Sequence, residues 1–274
     1  MVTVLTPVKY SGVCLTSGKI SEIEIKPGEL GQGIVFISNK TGESFVANTD
    51  NILDTLHSVT LGRPTFYVKV VEHLMAALAL SFVSDVTIAI DGDEVPIGDG
   101  SAKLFYELIK EAGIDAGSNS GKYQLNQSFS YIHEHTSISA FPSDSFRVSY
   151  AVNYVNSPFV YSWYKWETKE DTVNDIVAAR TFGYVKDLAS FQAMGLALGV
   201  TRDNTVGLND DGTFTTKLRY NNEPVRHKIL DIIGDLSLSG INPLNLNAHV
   251  VVIECGHTQH TKLARFLKEN VSLI

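Results

Sequence analysis

The chain has 274 residues, 44% hydrophobic and 19% charged, which suits one large globular domain or two of ordinary size and excludes collagen, coiled coil and disorder. Its 22 basic and 30 acidic residues leave a formal charge of −8, with no block of like charge, so general binding to nucleic acid or to an anionic membrane is not expected. Two cysteines cannot build a disulfide framework, the apolar stretches fall short of the ~20 residues of a spanning helix, and MVTVLTPVKYSG lacks the ordered parts of a secretion signal; a cytoplasmic protein is expected.

In chain order, strands are predicted at residues 20–26, where ISEIEIK alternates, and at 33–38. A polar, Thr-rich stretch follows. An apolar helix is predicted over 70–82, a strand over 86–90 with a turn at Asp91-Gly92, and a second helix over 102–112 closed by Gly113. Residues 115–121, DAGSNSG, read as a linker. The second half opens with strands at 123–131, 136–141 and 146–154. An insertion then holds a helix at 185–194, the run GLALGV and a polar loop around 209–212. A helix over 225–238, a strand over 249–254 and a helix over 258–268 complete the chain. Each half therefore runs strands, helix, strand, helix. That order predicts an α+β fold of two related domains, residues 1–117 and 118–274.

The helix at 225–238 carries His227, Asp231 and Asp235 at i, i+4 and i+8. At roughly 100° per residue they span an arc of about 80°, opposite Val225, Ile229, Ile233 and Leu236. An imidazole and a carboxylate one turn apart can share a Zn²⁺ ion, although the pair alone is more often an ordinary surface pair. In the first half, Glu72-His73 sits between apolar pairs, where an acid and an imidazole are costly to bury without partners. If the two helices face each other, His73, His227 and Asp231 supply three ligands and leave a fourth position open. Glu72 is then placed to take a proton from water. Asp235 is free to orient another group. His257, in Cys255-Gly256-His257, is the candidate, as a general acid; His260 competes with it, and a loop histidine is the plain alternative. Thr181-Phe182 could offer a hydroxyl to a carbonyl oxygen and a ring for stacking, or simply end a strand.

Several stretches make the chain resemble a known family. They are VEHLMAAL (71–78), DEVPIGDGSA (93–102), ARTFGY (179–184), GLALG (195–199), DN (203–204), LRY (218–220), VRHKILDIIGD (225–235) and CGH (255–257). Together they resemble the UDP-3-O-acyl-N-acetylglucosamine deacetylases, zinc enzymes of lipid A synthesis, over nearly the whole length. The resemblance implies two domains, each a sheet with two helices, stacked as a β-α-α-β sandwich, with a βαβ insert at about 185–208 lining an acyl passage. It implies zinc, or Fe²⁺, on His73, His227 and Asp231, with Glu72 as general base. His257 becomes the general acid, Asp235 its partner, and Thr181 a holder of the oxyanion. Phe182, Lys228, Val200 and Leu198 become substrate contacts. The implied partner is a small nucleotide-sugar or amino-sugar, handled by a monomer, with at most peripheral membrane contact through an acyl chain.

Some positions depart from the family pattern. The N-terminal glycine motif reads GVCLTSG (12–18), Val70 stands where Thr is usual, and Ser84-Asp85 where Asp-Asn is usual. Pro224 replaces an aromatic residue, Val200 a Gly, and Glu254 a Lys. None belongs to the ligand set. A branched side chain at 200 would narrow the acyl passage, and an inward Glu254 would repel a diphosphate. An alternative reading is therefore a divergent paralogue that deacetylates another N-acetyl amino sugar, without the long acyl chain or the UDP group. A binding protein on a retired enzyme scaffold is the third reading.

Overall fold

Alternating burial in Ile20–Pro27 puts Ile23 and Ile25 on one face of a strand, and that face belongs to a five-stranded sheet. A computed structural model describes residues 2–115, 121–154, 162–169 and 171–274. The sheet runs Val8–Val13, Ile20–Pro27, Val86–Ile90, Ile34–Ser38, Ser44–Val46. Its pairs are antiparallel except the parallel pair of Ile34–Ser38 with Val86–Ile90. Register aligns Ile25, Ile88, Phe36 and Phe45 in one buried row across the inner face.

The second half repeats this plan strand for strand. Its order is Phe129–His133, Thr136–Pro142, Leu246–Ile253, Arg147–Val152, Ser162–Glu167, again with the one parallel pair beside the central strand. Ile138, Val252 and Tyr150 form the matching buried row. Tyr123–Leu125 pairs with the start of the central strand and with Val271–Leu273. The strand expected over 123–131 is thus two strands in different places, broken where the Asn126 N–H turns to the Asn270 carbonyl.

Helices α1 (Glu72–Leu80) and α2 (Lys103–Ala112) belong to the first half. Helices α3 (Val185–Ala193), α4 (Glu223–Ser237) and α5 (His257–Glu269) belong to the second. α1 and α4 face one another, α2 packs beside α1, and α5 beside α4, so the helices lie between the two sheets. Every residue of α1 is buried, as an all-round apolar helix in the middle of a fold should be. α4 is buried on its polar stripe as well as its apolar one, so the surface-pair reading of His227 and Asp231 does not hold. Among the described residues, no helix is long and apolar enough to cross a membrane.

Each half also carries an addition between its sheet strands and its inner helix. In the first it is a three-stranded sheet of Ile52–Asp54, Thr60–Arg63 and Phe66–Lys69, in the stretch expected to be merely polar. In the second, Phe182–Tyr184 pairs in parallel with Val206–Leu208 across α3, giving a βαβ insert that starts slightly before the expected residue 185. Of the linker expected at 115–121, Asp115 pairs with Thr3, and 116–120, with the expected boundary at 117/118, lie outside the described residues.

Gly234 sets the distance between α1 and α4. A Cβ placed there would lie 2.1 Å from the Glu72 carbonyl oxygen, so the two backbones touch only because the side chain is missing. Gly234→Ala is expected to destabilise the protein by about 1–3 kcal/mol through overpacking and to lower activity by parting the two helices. Thermal unfolding checks this; an unchanged or higher midpoint would contradict it.

Candidate active site

Close packing of α1 on α4 brings His73, His227 and Asp231 together. All three are at most 3% exposed, and their ligand atoms lie within 4.8 Å of one another. Nε2 of His227 is 3.3 Å from Asp231 Oδ1, and Nε2 of His73 is 3.6 Å from the same oxygen. Ligands about 2.0–2.2 Å from a tetrahedral ion stand roughly 3.3–3.6 Å apart, so the spacing fits a shared divalent cation. Nδ1 of His227 lies 2.9 Å from the Ala179 carbonyl, which turns Nε2 towards the centre. Among the described residues, Oδ1 of Asp231 and Nδ1 of His73 are buried without a hydrogen-bond partner, a costly arrangement for an oxygen unless a cation satisfies it. Lys228 Nζ donates to the other oxygen, Oδ2, at 2.6 Å. Burial, aided by His73 and Lys228, pushes His227 down to about 4, so it is a neutral imidazole with a lone pair to give. Burial opposes the charge on Asp231, but His227 and Lys228 outweigh it and hold the carboxyl well below the usual range.

Glu72 lies on the same turn of α1 as His73. Its Oε2 accepts the Val59 N–H at 3.1 Å, and its Oε1 is 3.9 Å from Nε2 of His257. Burial pushes the Glu72 carboxyl up, against the pull of His257 and His73, towards the range a base needs near neutrality. His257 is the first residue of α5, not part of a free loop. Its Nδ1 is 2.8 Å from Asp235 Oδ2. Burial disfavours its charged form, but Asp235 outweighs that and pushes His257 up to about 9. The Glu72 carboxylate and the His257 imidazole thus face each other across the site, from different halves.

Helices α1 and α5 each follow a strained turn. Val70, two residues before Glu72, has φ +57°, and Glu254, three before His257, has φ +53°. Neither is a glycine, and each such conformation costs about 1–3 kcal/mol. The strain sits where the chain must turn from a strand into a helix that presents its first residue to the site.

These residues open on a cavity of about 920 Å³. Thr181, Phe182, Val200 and Lys228 line it, as do Tyr154, His57 and Lys69, for which the sequence held no signal. The Phe182 ring stands edge-on to His227 at 6.0 Å, with Lys228 Nζ 5.9 Å from the same ring. Leu198, expected among the substrate contacts, is 50% exposed and outside the cavity wall, because its N–H is tied to the Thr16 carbonyl; Leu196 and Ala197 line the wall instead. Glu254 does line the cavity, with Oε2 3.8 Å from His135. His260, named in the sequence only as a competitor of His257, is fully buried on Asp235.

A family profile described as UDP-3-O-acyl N-acetylglycosamine deacetylase matches residues 2–269. A UDP-3-O-acyl-N-acetylglucosamine deacetylase of Chlamydia abortus is 37% identical over 272 residues, covering 97% of this chain and 96% of that protein. Another, of Chlamydia pneumoniae, is 36% identical over 278 residues, covering 99% and 98%. The chain belongs to the UDP-3-O-acyl N-acetylglycosamine deacetylase family. Several motifs that carry the likeness to this deacetylase family join the halves. Gly100, at φ +83°, lets the GDG turn meet the DN turn; a Cβ there would lie 1.7 Å from the Asn204 carbonyl oxygen. Arg219 Nη1 donates to Asp99 Oδ2 at 2.6 Å across the same seam. Arg180 forms a buried ion pair with Glu223 at 2.9 Å, which fixes the Thr181 segment to the start of α4.

Proposed function

We propose that this chain hydrolyses the N-acetyl amide of a UDP-3-O-acyl-N-acetylglucosamine, releasing acetate and a free amine, and that zinc is its metal, with Fe²⁺ suited to the same ligands. The observation that carries the reading is the buried N,N,O triad of His73, His227 and Asp231, with Glu72 beside it and His257 opposite. A divalent cation supplies Lewis acidity when bound, drawing down the pKa of water and polarising a carbonyl. Glu72 takes the proton from the attacking water. The Thr181 hydroxyl donates to the oxygen on which charge develops. His257, oriented by Asp235, protonates the departing amine. Phe182 and Lys228 flank the bound sugar. Leu188, Phe191, Leu196, Ala197 and Val200 give the cavity an apolar wall on the insert side, which suits a fatty acyl chain.

The scheme needs no residue from a second copy, and the chain is taken to act as a monomer. The domain boundary is placed near residue 117. Cys14 and Cys255 are buried free thiols, in keeping with the cytoplasm as the compartment. The deciding experiment compares acetate release from UDP-3-O-acyl-N-acetylglucosamine, unacylated UDP-N-acetylglucosamine and free N-acetylglucosamine. Turnover of the first is expected to dominate. Turnover confined to the other two would favour the divergent paralogue, with Glu254 and Val200 in the cavity wall as its basis. Val200→Gly is expected to raise turnover of long-chain relative to short-chain substrates; an unchanged chain-length profile would remove Val200 as a determinant.

A further inference from the structure

Asp235 holds more than one imidazole. Its Oδ2 is 2.8 Å from Nδ1 of His257 and also 2.8 Å from Nδ1 of His260. Its Oδ1 is buried and has no hydrogen-bond partner among the described residues. His260 is fully buried, three residues along α5 from His257 and so on the same side of the helix. Nε2 of His260 lies 3.0 Å from the hydroxyl of Tyr150, a fully buried residue of the second sheet. That hydroxyl donates to the carbonyl of Cys255, two residues before His257 and next to the strained Glu254. A closed ring of buried contacts therefore runs from Tyr150 through His260 and Asp235 to His257, and returns through the backbone at Cys255.

We propose that His260 and Tyr150 are positioning residues for His257, fixing both the Asp235 carboxylate and the turn that starts α5. A carboxylate with one unpartnered oxygen can rotate and exchange its two oxygens when a single donor holds it. Two imidazoles converging on Oδ2 from different directions prevent that rotation. Tyr150 then ties the second imidazole to the backbone that aims the first. Nδ1 of His260 has the Asp235 carboxylate, and its Nε2 rests beside the Tyr150 hydroxyl, so neither nitrogen is packed against apolar atoms alone. An apolar side chain at 260 would fill the same space but leave Asp235, and with it His257, held from one side only.

The activity arm of the test rests on the deacetylase reading; the spectroscopic arm does not. His260→Ala is expected to lower kcat about tenfold, with KM and bound metal unchanged. His260→Asn, whose amide N–H can reach Asp235, is expected to restore most of that loss, and Tyr150→Phe to lower kcat less than His260→Ala does. In ¹⁵N-histidine NMR spectra of the wild-type protein, Nδ1 of both His257 and His260 is expected to carry a proton. An unprotonated Nδ1 on His260 overturns the proposal even if the variants fail to fold. An unchanged kcat in His260→Ala, or a loss that His260→Asn does not recover, also overturns it. Wild-type protein that releases no acetate from the UDP-linked substrate would defeat the deacetylase reading instead, and the NMR result would still decide the positioning role.

Discussion

Glu72→Gln is expected to keep its metal and to lose about 10²–10⁴-fold in kcat, the usual contribution of a positioned general base. The amide is close to the carboxylate in shape and can remain beneath the Val59 N–H, through its carbonyl oxygen. It cannot accept a proton from water. Because Glu72 sits next to His73, a larger change at this position would disturb the ligand set as well, so the isosteric variant isolates the proton transfer. Parallel measurements of metal stoichiometry and acetate release check the expectation. Near-normal turnover would remove Glu72 as the base.

His227→Ala is expected to lose the metal and, with it, activity. Loss of a partner outside the ligand shell typically costs roughly 10–100-fold in metal affinity or activity, and loss of a ligand costs more. The structure gives a reason for a large effect. Asp231 would remain buried, with Lys228 on one oxygen and His73 near the other. Equilibrium dialysis against zinc reads the affinity. Unchanged metal stoichiometry in the variant would point to a different ligand set.

The inner helices were legible in the sequence because their signal is local. His227, Asp231 and Asp235 recur at helical spacing, and Glu72-His73 stands out against an apolar run. The repeated order of elements was legible for the same reason, and it foretold the two matching sheets. What α4 packs against was legible only as a condition and through the family likeness: taken alone, its polar stripe looks like a solvent face until α1 closes over it, with Gly234 against the Glu72 carbonyl. His260 was hidden because its partners, Asp235 and Tyr150, are 25 and 110 residues away and meet it only in the fold. Short strands such as Ser44–Val46 and Ile52–Asp54 escaped notice because three residues show no period; their neighbours hold them in place. The side on which Leu198 lies was hidden for a comparable reason. The run GLALG does not say which of its two leucines lines the cavity; Leu196 does, while the Leu198 N–H is bonded to the Thr16 carbonyl.

Crystals of zinc-loaded protein, measured on both sides of the zinc absorption edge, test the central claim most directly. One anomalous peak is expected, bonded at once to His73 from the first half and to His227 and Asp231 from the second. A peak bound elsewhere, or none among these three side chains in protein that still turns over substrate, would contradict the account.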